Sequence, residues 1–201
     1  MKLFLLLILC FLVFSSFQEA NSEVNEKTIS DFKLRNINNK TISLSDYKSA
    51  KGFIIIFTCN HCPFANLYYK RLNSFYKKYS AQNIPLIAIN SMDTLLYEDE
   101  EFKYIQAKAK INKFNFPYLQ DGTQFVGKTF GATHTPQAFL IWKENNLWKI
   151  KYKGAIDDNG EHPEKATSFI SKAIEELLEG KQVSHPEMNA IGCKIMYRTN
   201  L

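Results

Sequence analysis

The stretch Phe53-Ile54-Ile55-Ile56-Phe57-Thr58-Cys59-Asn60-His61-Cys62-Pro63-Phe64 decides how this chain folds. Its first five residues are apolar, and so short an unbroken run predicts a strand buried on both faces, of the parallel-sheet kind. Downstream, Phe64, Leu67, Tyr68, Leu72, Phe75, Tyr76 and Tyr79 recur every three or four residues, which predicts a helix with one apolar face. The cysteines fall at the junction. A strand end carries Cys59 to the sheet edge, and the free amides and positive dipole end of the following helix face its sulfur. Both favour thiolate, the species that attacks disulfides. The two-residue spacer brings Cys62 back within one turn, able to attack a mixed disulfide formed at Cys59.

Further elements follow on either side. Residues 35–44 read as a hairpin turning at Asn38 and Asn39, residues that tolerate positive φ. Residues 84–89 form a second buried strand. Residues 98–114 have helical composition, with Phe102, Ile105 and Ala109 on one side. Residues 139–142 and 147–152 are strands joined by a tight turn at Asn145-Asn146. Residues 164–179 carry apolar positions spaced as on one helix face, and Gly180 stops that helix. Strand–helix–strand units imply right-handed crossovers and parallel neighbours, and the late hairpin adds antiparallel strands. The expected fold is α/β: a central mixed sheet with helices on both faces and an N-terminal β-hairpin. Residues 28–180 are expected to form the domain, and the aperiodic tail 181–201 to pack on it.

The composition of the 201 residues, 45% hydrophobic and 22% charged, is that of an ordinary globular chain. The net charge of +5 comes from scattered lysines without a basic stripe, which argues against nucleic acid as a partner. Lys2 and the apolar run 3–14 read as a secretory signal, too short to span a bilayer, with small residues at Ser15, Ser16 and Ala20 for cleavage. A signal peptide over 1–20, a leader over 21–27 and an exported mature chain without stable membrane insertion are the expectations. Cys10 leaves with the signal. Cys59, Cys62 and Cys193 remain, in a compartment where thiols tend to pair.

His61 sits inside the loop, placed to donate a hydrogen bond or a charge toward the Cys59 sulfur and so to modulate its thiolate. A permanent stapling disulfide is the plain alternative. A soft copper or zinc site is another, but two cysteines and one histidine are an incomplete set, and no metal or cofactor is expected. Asp157-Asp158 is a candidate metal-ligating pair, but reads more readily as a turn in which aspartate bonds its own backbone. His134-Thr135-Pro136 precedes the strand at 139, where a proline shapes a loop or starts the strand. Cys193 is either a small buried residue holding the tail or a third redox thiol able to bond Cys59 or another chain; Gly192 would allow a close approach.

Taken together, 57–64 with its Cys-x-x-Cys-Pro, Thr135-Pro136-Gln137-Ala138-Phe139-Leu140, the stretch 152–158 and Gly192-Cys193-Lys194-Ile195 resemble the thioredoxin superfamily. More closely, they resemble the redoxin-type thioredoxin-like proteins of its peroxiredoxin-related (AhpC/TSA-like) branch. The resemblance implies a thioredoxin-like fold, Cys59 as nucleophile, Cys62 as resolving thiol, a cis-proline at Pro136, and Thr135 and Pro136 as substrate-binding residues. It implies a thiol–disulfide oxidoreductase acting on protein thiols or disulfides, with a thioredoxin-like electron donor as a further partner. Two features depart from the pattern: Thr58 stands where thioredoxins carry tryptophan, and 53–57 lacks their buried strand acid. A thiol peroxidase ranks second, because Cys59 and Ile55 occupy the places of the threonine and proline that activate peroxide.

Overall fold

The structure, a computed structural model, describes residues 27–199; the expected signal peptide and almost all of the leader lie outside the described residues. In chain order the elements are β1 (Thr28–Ile29), β2 (Lys33–Asn36), β3 (Thr41–Ser43), β4 (Gly52–Phe57), α1 (Pro63–Asn66), α2 (Tyr69–Ser80), β5 (Leu86–Asn90) and α3 (Phe102–Ile111). They continue with β6 (Tyr118–Gln120), α4 (Phe125–Phe130), β7 (His134–Thr135), β8 (Gln137–Glu144), β9 (Leu147–Gly154), α5 (Phe169–Leu178) and β10 (Cys193–Lys194).

The expected mixed sheet is present. Its order is β1-β9-β8-β4-β5-β6-β2-β3, with β4, β5 and β6 parallel and β8 antiparallel to β4. Every residue of β4 is buried, and its side chains divide by parity. Ile54 and Ile56 face a core shared with Leu72 of α2, Ile105 of α3 and Ile170 and Ile174 of α5. Phe53, Ile55 and Phe57 face a second core with Phe130 of α4, Leu44 and the two loop cysteines. Helices thus lie on both faces, unevenly divided, and the chain spanning both cysteines closes the second face. The predicted turns hold: Asn39, Asn145 and Asn146 adopt positive φ, and Gly180 ends α5 at φ 72°.

Three boundaries differ from the sequence reading. The helix predicted from Phe64 is interrupted at Leu67 and Tyr68, whose amides bond three residues back, to Phe64 and Ala65. Phe64 and Leu67, expected on a buried face, are 45% and 43% exposed. The segment predicted from Glu98 begins with a single 3-10 turn, Glu98–Glu100, before extended Glu101 lets α3 start. The last helix starts at Phe169, where the Ser168 hydroxyl accepts the Ser171 amide as a cap.

The tail is not loose. β10 pairs antiparallel with β7, Cys193 opposite Thr135 and Lys194 opposite His134. Beyond it, Ile195 donates its amide to Thr133 at 2.9 Å and enters the core, and Arg198 Nε reaches Asp93 Oδ1 at 2.7 Å. Among the described residues no helix is long and apolar enough to cross a membrane.

Ile55 lies in the middle of β4 and is wholly buried, whereas Leu95 is 81% exposed. Ile55→Ala is expected to lower stability by about 2–5 kcal/mol through the cavity it leaves. Leu95→Ala should stay within about 0.5 kcal/mol of the parent. Urea unfolding of both variants checks the contrast.

Candidate active site

β4 ends at Phe57, and its neighbour β5 takes the Thr58 amide with the Ile89 carbonyl at 2.9 Å. Cys59 therefore leaves the sheet at a fixed height. Tyr69, at the start of α2, donates its hydroxyl to the Cys59 carbonyl at 2.9 Å. Both loop cysteines are fully buried, and both are free thiols. The cysteine loop and the Thr135-Pro136 turn come together as expected. The Cys59 Sγ lies 3.0 Å from Thr135 Oγ1, and the Cys62 Sγ lies 3.0 Å from the Thr135 carbonyl oxygen. The Thr135–Pro136 peptide bond is cis.

The acid absent from β4 arrives from elsewhere. Glu100 is 1% exposed, and its carboxylate lies beneath the cysteine loop. Oε1 accepts from the Asn60 and His61 amides at 2.8 and 2.9 Å, and lies 2.6 Å from His61 Nδ1. Oε2 accepts from the Asn60 amide at 2.9 Å and from Asn90 Nδ2 at 2.6 Å. Sequence reasoning missed this residue. Glu98, Asp99 and Glu101 surround it, and the run looks like an ordinary solvated helix start.

His61 is where the sequence placed it, but it turns away from its expected partner. Its ring stacks on Tyr97, with centroids 4.4 Å apart, and its Nδ1 engages Glu100 rather than the Cys59 sulfur. A carboxylate is a far stronger acceptor than a buried sulfur, which explains the choice. His61 shares the Glu100 carboxylate with the loop amides, and that carboxylate in turn raises the Cys59 thiol. Ligand atoms of Cys59, His61 and Glu100 lie within 4.8 Å of one another. Five N–H contacts already occupy the Glu100 oxygens, so metal ligation there would strip the loop of its anchor.

The two loop thiols are shifted in opposite directions. Cys59 is pushed well above the ordinary thiol value by its hydrogen bond to Cys62, by burial and by the Glu100 carboxylate, against weaker help from Thr135 and the Cys62 amide. Cys62 is pulled down to about 4 by the Cys59 thiol, and then, against the cost of burial, by the Cys193 side chain and the Ala65 and Cys193 backbones. The Thr135 carbonyl opposes this, since ionising Cys62 turns its hydrogen bond into a repulsion; the donors outnumber it. The two thiols therefore titrate as a pair, with ionisation favoured toward Cys62.

Cys193 is neither bonded to Cys59 nor on a distant surface. It is half-buried beside Cys62, its own thiol pushed up to about 11 by burial and by Cys62. Asp157 forms the expected turn, accepting the Asn159 amide at 3.1 Å, and is buried against Arg71 and the Tyr68 hydroxyl.

A groove of about 170 Å³ runs beside this cluster, lined by Phe64, Leu67, Pro136, Asp158 and Ile191 among others. A larger open depression of about 470 Å³, at Lys51, Trp142 and Asn146, lies at the opposite end of β4 and touches none of the cysteines.

Two outcomes are expected from this geometry. Glu100→Gln keeps the shape but turns a donor toward the loop amides, so stability should fall by about 1–3 kcal/mol in urea unfolding. With the negative charge gone, Cys59 should titrate at lower pH, as read by the pH dependence of its alkylation in a Cys62→Ser background. Second, Cys62 has a folded pKa depressed from 9.0 to about 4, so folding releases its proton between those values. Stability of the reduced protein should therefore rise with pH from about 5 to about 8, and part of that rise should vanish in Cys62→Ser.

Comparison with known proteins agrees with this architecture. An uncharacterized conserved protein from Geobacillus kaustophilus superposes with a TM-score of 0.78 at 30% identity, covering 88% of this chain and 93% of that one. A hypothetical protein from Sinorhizobium meliloti 1021 superposes with a TM-score of 0.78 at 29% identity, covering 87% and 95%. The pneumococcal exposed lipoprotein thioredoxin from Streptococcus pneumoniae shares the fold alone, at 18% identity and a TM-score of 0.56 over 75% and 99% of the two chains. No curated protein matches the sequence. The AhpC/TSA family matches residues 25–150, well over half of the chain, and overlies the strand, the cysteine loop and the cis-proline turn described above. The protein has a thioredoxin-like fold and belongs to the AhpC/TSA family.

Proposed function

We propose that the protein is a thiol–disulfide oxidoreductase whose Cys59 and Cys62 cycle between dithiol and disulfide against the thiols or disulfides of partner proteins. The observation that carries this reading is the pair itself: two free thiols held against one Thr135 peptide unit, with their pKa values pushed in opposite directions. The lowered pKa supplies an attacking thiolate at neutral pH, and it also stabilises the dithiol form, which makes the disulfide the better oxidant.

In the oxidising direction for the pair, the Cys62 thiolate attacks one sulfur of a partner disulfide, and the other partner sulfur leaves as a thiolate. Cys59 then gives up its proton and attacks the Cys62 sulfur, releasing the second partner thiolate. The sum is one partner disulfide reduced and one Cys59–Cys62 disulfide formed, with the Cys59 proton and one from solvent ending on the partner thiols. In this reading the attack begins at Cys62, toward which the pair's ionisation is favoured, whereas the family resemblance implies Cys59 as the attacking thiol. Exposed Phe64, Leu67 and Ile191 beside Pro136 give an apolar strip where an unfolded or extended partner segment docks. Protein export, which the N-terminal sequence suggests, fits a partner pool rich in disulfides.

Thiol labelling across graded glutathione and dithiothreitol potentials should show a two-electron transition that Cys59→Ser or Cys62→Ser shifts or abolishes. A Cys59–Cys62 bond that resists reduction far below the glutathione potential would make it a structural staple instead. Addition of hydrogen peroxide to the reduced protein should oxidise it within about tenfold of the rate of a free thiolate. Oxidation many orders faster would replace this reading by a peroxidase.

A further inference from the structure

We infer that Cys193 is a third exchange thiol, which draws the disulfide out of the buried pair by bonding to Cys62. The inference rests on the reading that Cys59 and Cys62 cycle. Three observations carry it. β10 lies along β7 in the register that sets Cys193 opposite Thr135, the residue both loop sulfurs touch. Cys193 lies beside Cys62, and its side chain and backbone both help to pull the Cys62 thiol down. Cys59 and Cys62 have no exposed surface, whereas Cys193 does.

The approach is built into the sequence. A Cβ on Gly192 would overlap the Thr135 carbonyl oxygen, so only glycine lets the tail strand come this close. Ile195 in the core, the Tyr197 hydroxyl on the Ala132 carbonyl at 2.9 Å and Arg198 on Asp93 then hold the far side of the strand. The tail thus occupies the backbone edge beside the cis-proline where the sequence reading placed a substrate. It presents its own cysteine there.

The chemical step is an internal exchange with no net oxidation. Starting from the Cys59–Cys62 disulfide, the Cys193 thiol gives up its proton and its sulfur attacks the Cys62 sulfur. A Cys62–Cys193 bond forms and the Cys59–Cys62 bond breaks. Cys59 leaves with the electron pair and takes the proton, in surroundings that favour its neutral form. A dithiol on a partner protein then attacks the accessible Cys193 sulfur, and Cys62 leaves as the stabilised thiolate. The second partner thiol closes the partner disulfide and frees Cys193.

The test maps linkages in the full mature chain after oxidation by oxidised glutathione, rapid alkylation and trypsin. Cleavage places Cys59 and Cys62 together in residues 52–70 and Cys193 in residues 182–194, so the internal disulfide and the relayed one give different products. In the parent, both the internally bridged 52–70 peptide and its cross-link to 182–194 are expected. In Cys59→Ser the cross-link should become the main product. Gly192→Ala retains all three thiols and should lose the cross-link by about tenfold or more, through displacement of the strand. Alkylated Cys62 and Cys193 without a cross-link in Cys59→Ser would overturn the inference, as would an undiminished cross-link in Gly192→Ala. Absence of the internally bridged peptide from the parent would instead overturn the reading of the pair itself.

Discussion

A buried carboxylate holds the site together. Glu100 has almost no exposed surface, and an ionised acid in that position is tolerable only if its oxygens are fully engaged. The Asn60 and His61 amides, the His61 ring and Asn90 supply that engagement, and in doing so they fix the backbone between the two cysteines. The same negative charge raises the cost of a thiolate on Cys59. One residue therefore sets both the shape of the loop and the distribution of charge over its sulfurs. Removing it would leave loop amides facing an apolar core, a larger loss than that of any surface ion pair in the molecule.

The second constraint is the Thr135 peptide unit. Its hydroxyl meets Cys59, its carbonyl meets Cys62, and its backbone pairs with the tail strand. Three stretches distant in sequence converge there: the loop after β4, the turn before β8 and the last described strand. The family model matches residues 25–150, and the tail cysteine lies beyond those residues.

Much of this was legible in the sequence because it is local. The all-apolar run at 53–57, the Cys-x-x-Cys junction and the asparagine turns each announce themselves within a few residues, and the structure has them in place. What escaped is short or non-local. β1 and β10 have two residues each and β6 three, too few for a period to show. Glu100 is one acid in an acidic run, and only tertiary folding distinguishes it from its solvated neighbours. The landing place of Cys193 depends on a strand pairing that spans almost sixty positions, and Gly192 was the sole local hint of a close approach. The opposite shifts of the two thiols come first from their interaction with each other, and then from burial, Glu100 and Cys193, which no spacing rule could have supplied.

The pinned tail has a consequence for competition. A thiol tethered against its target reacts as though it were present at very high concentration, on the order of millimolar for a flexible tether and far more when oriented. Cys193 is oriented, by its strand register on one side and by Ile195 on the other. On the proposed relay, small thiols meet a sulfur already guarded by an internal rival with the advantage in mass action. Selectivity toward large partners would then follow, without a tight pocket, from which molecules bring enough binding surface to displace the tail strand.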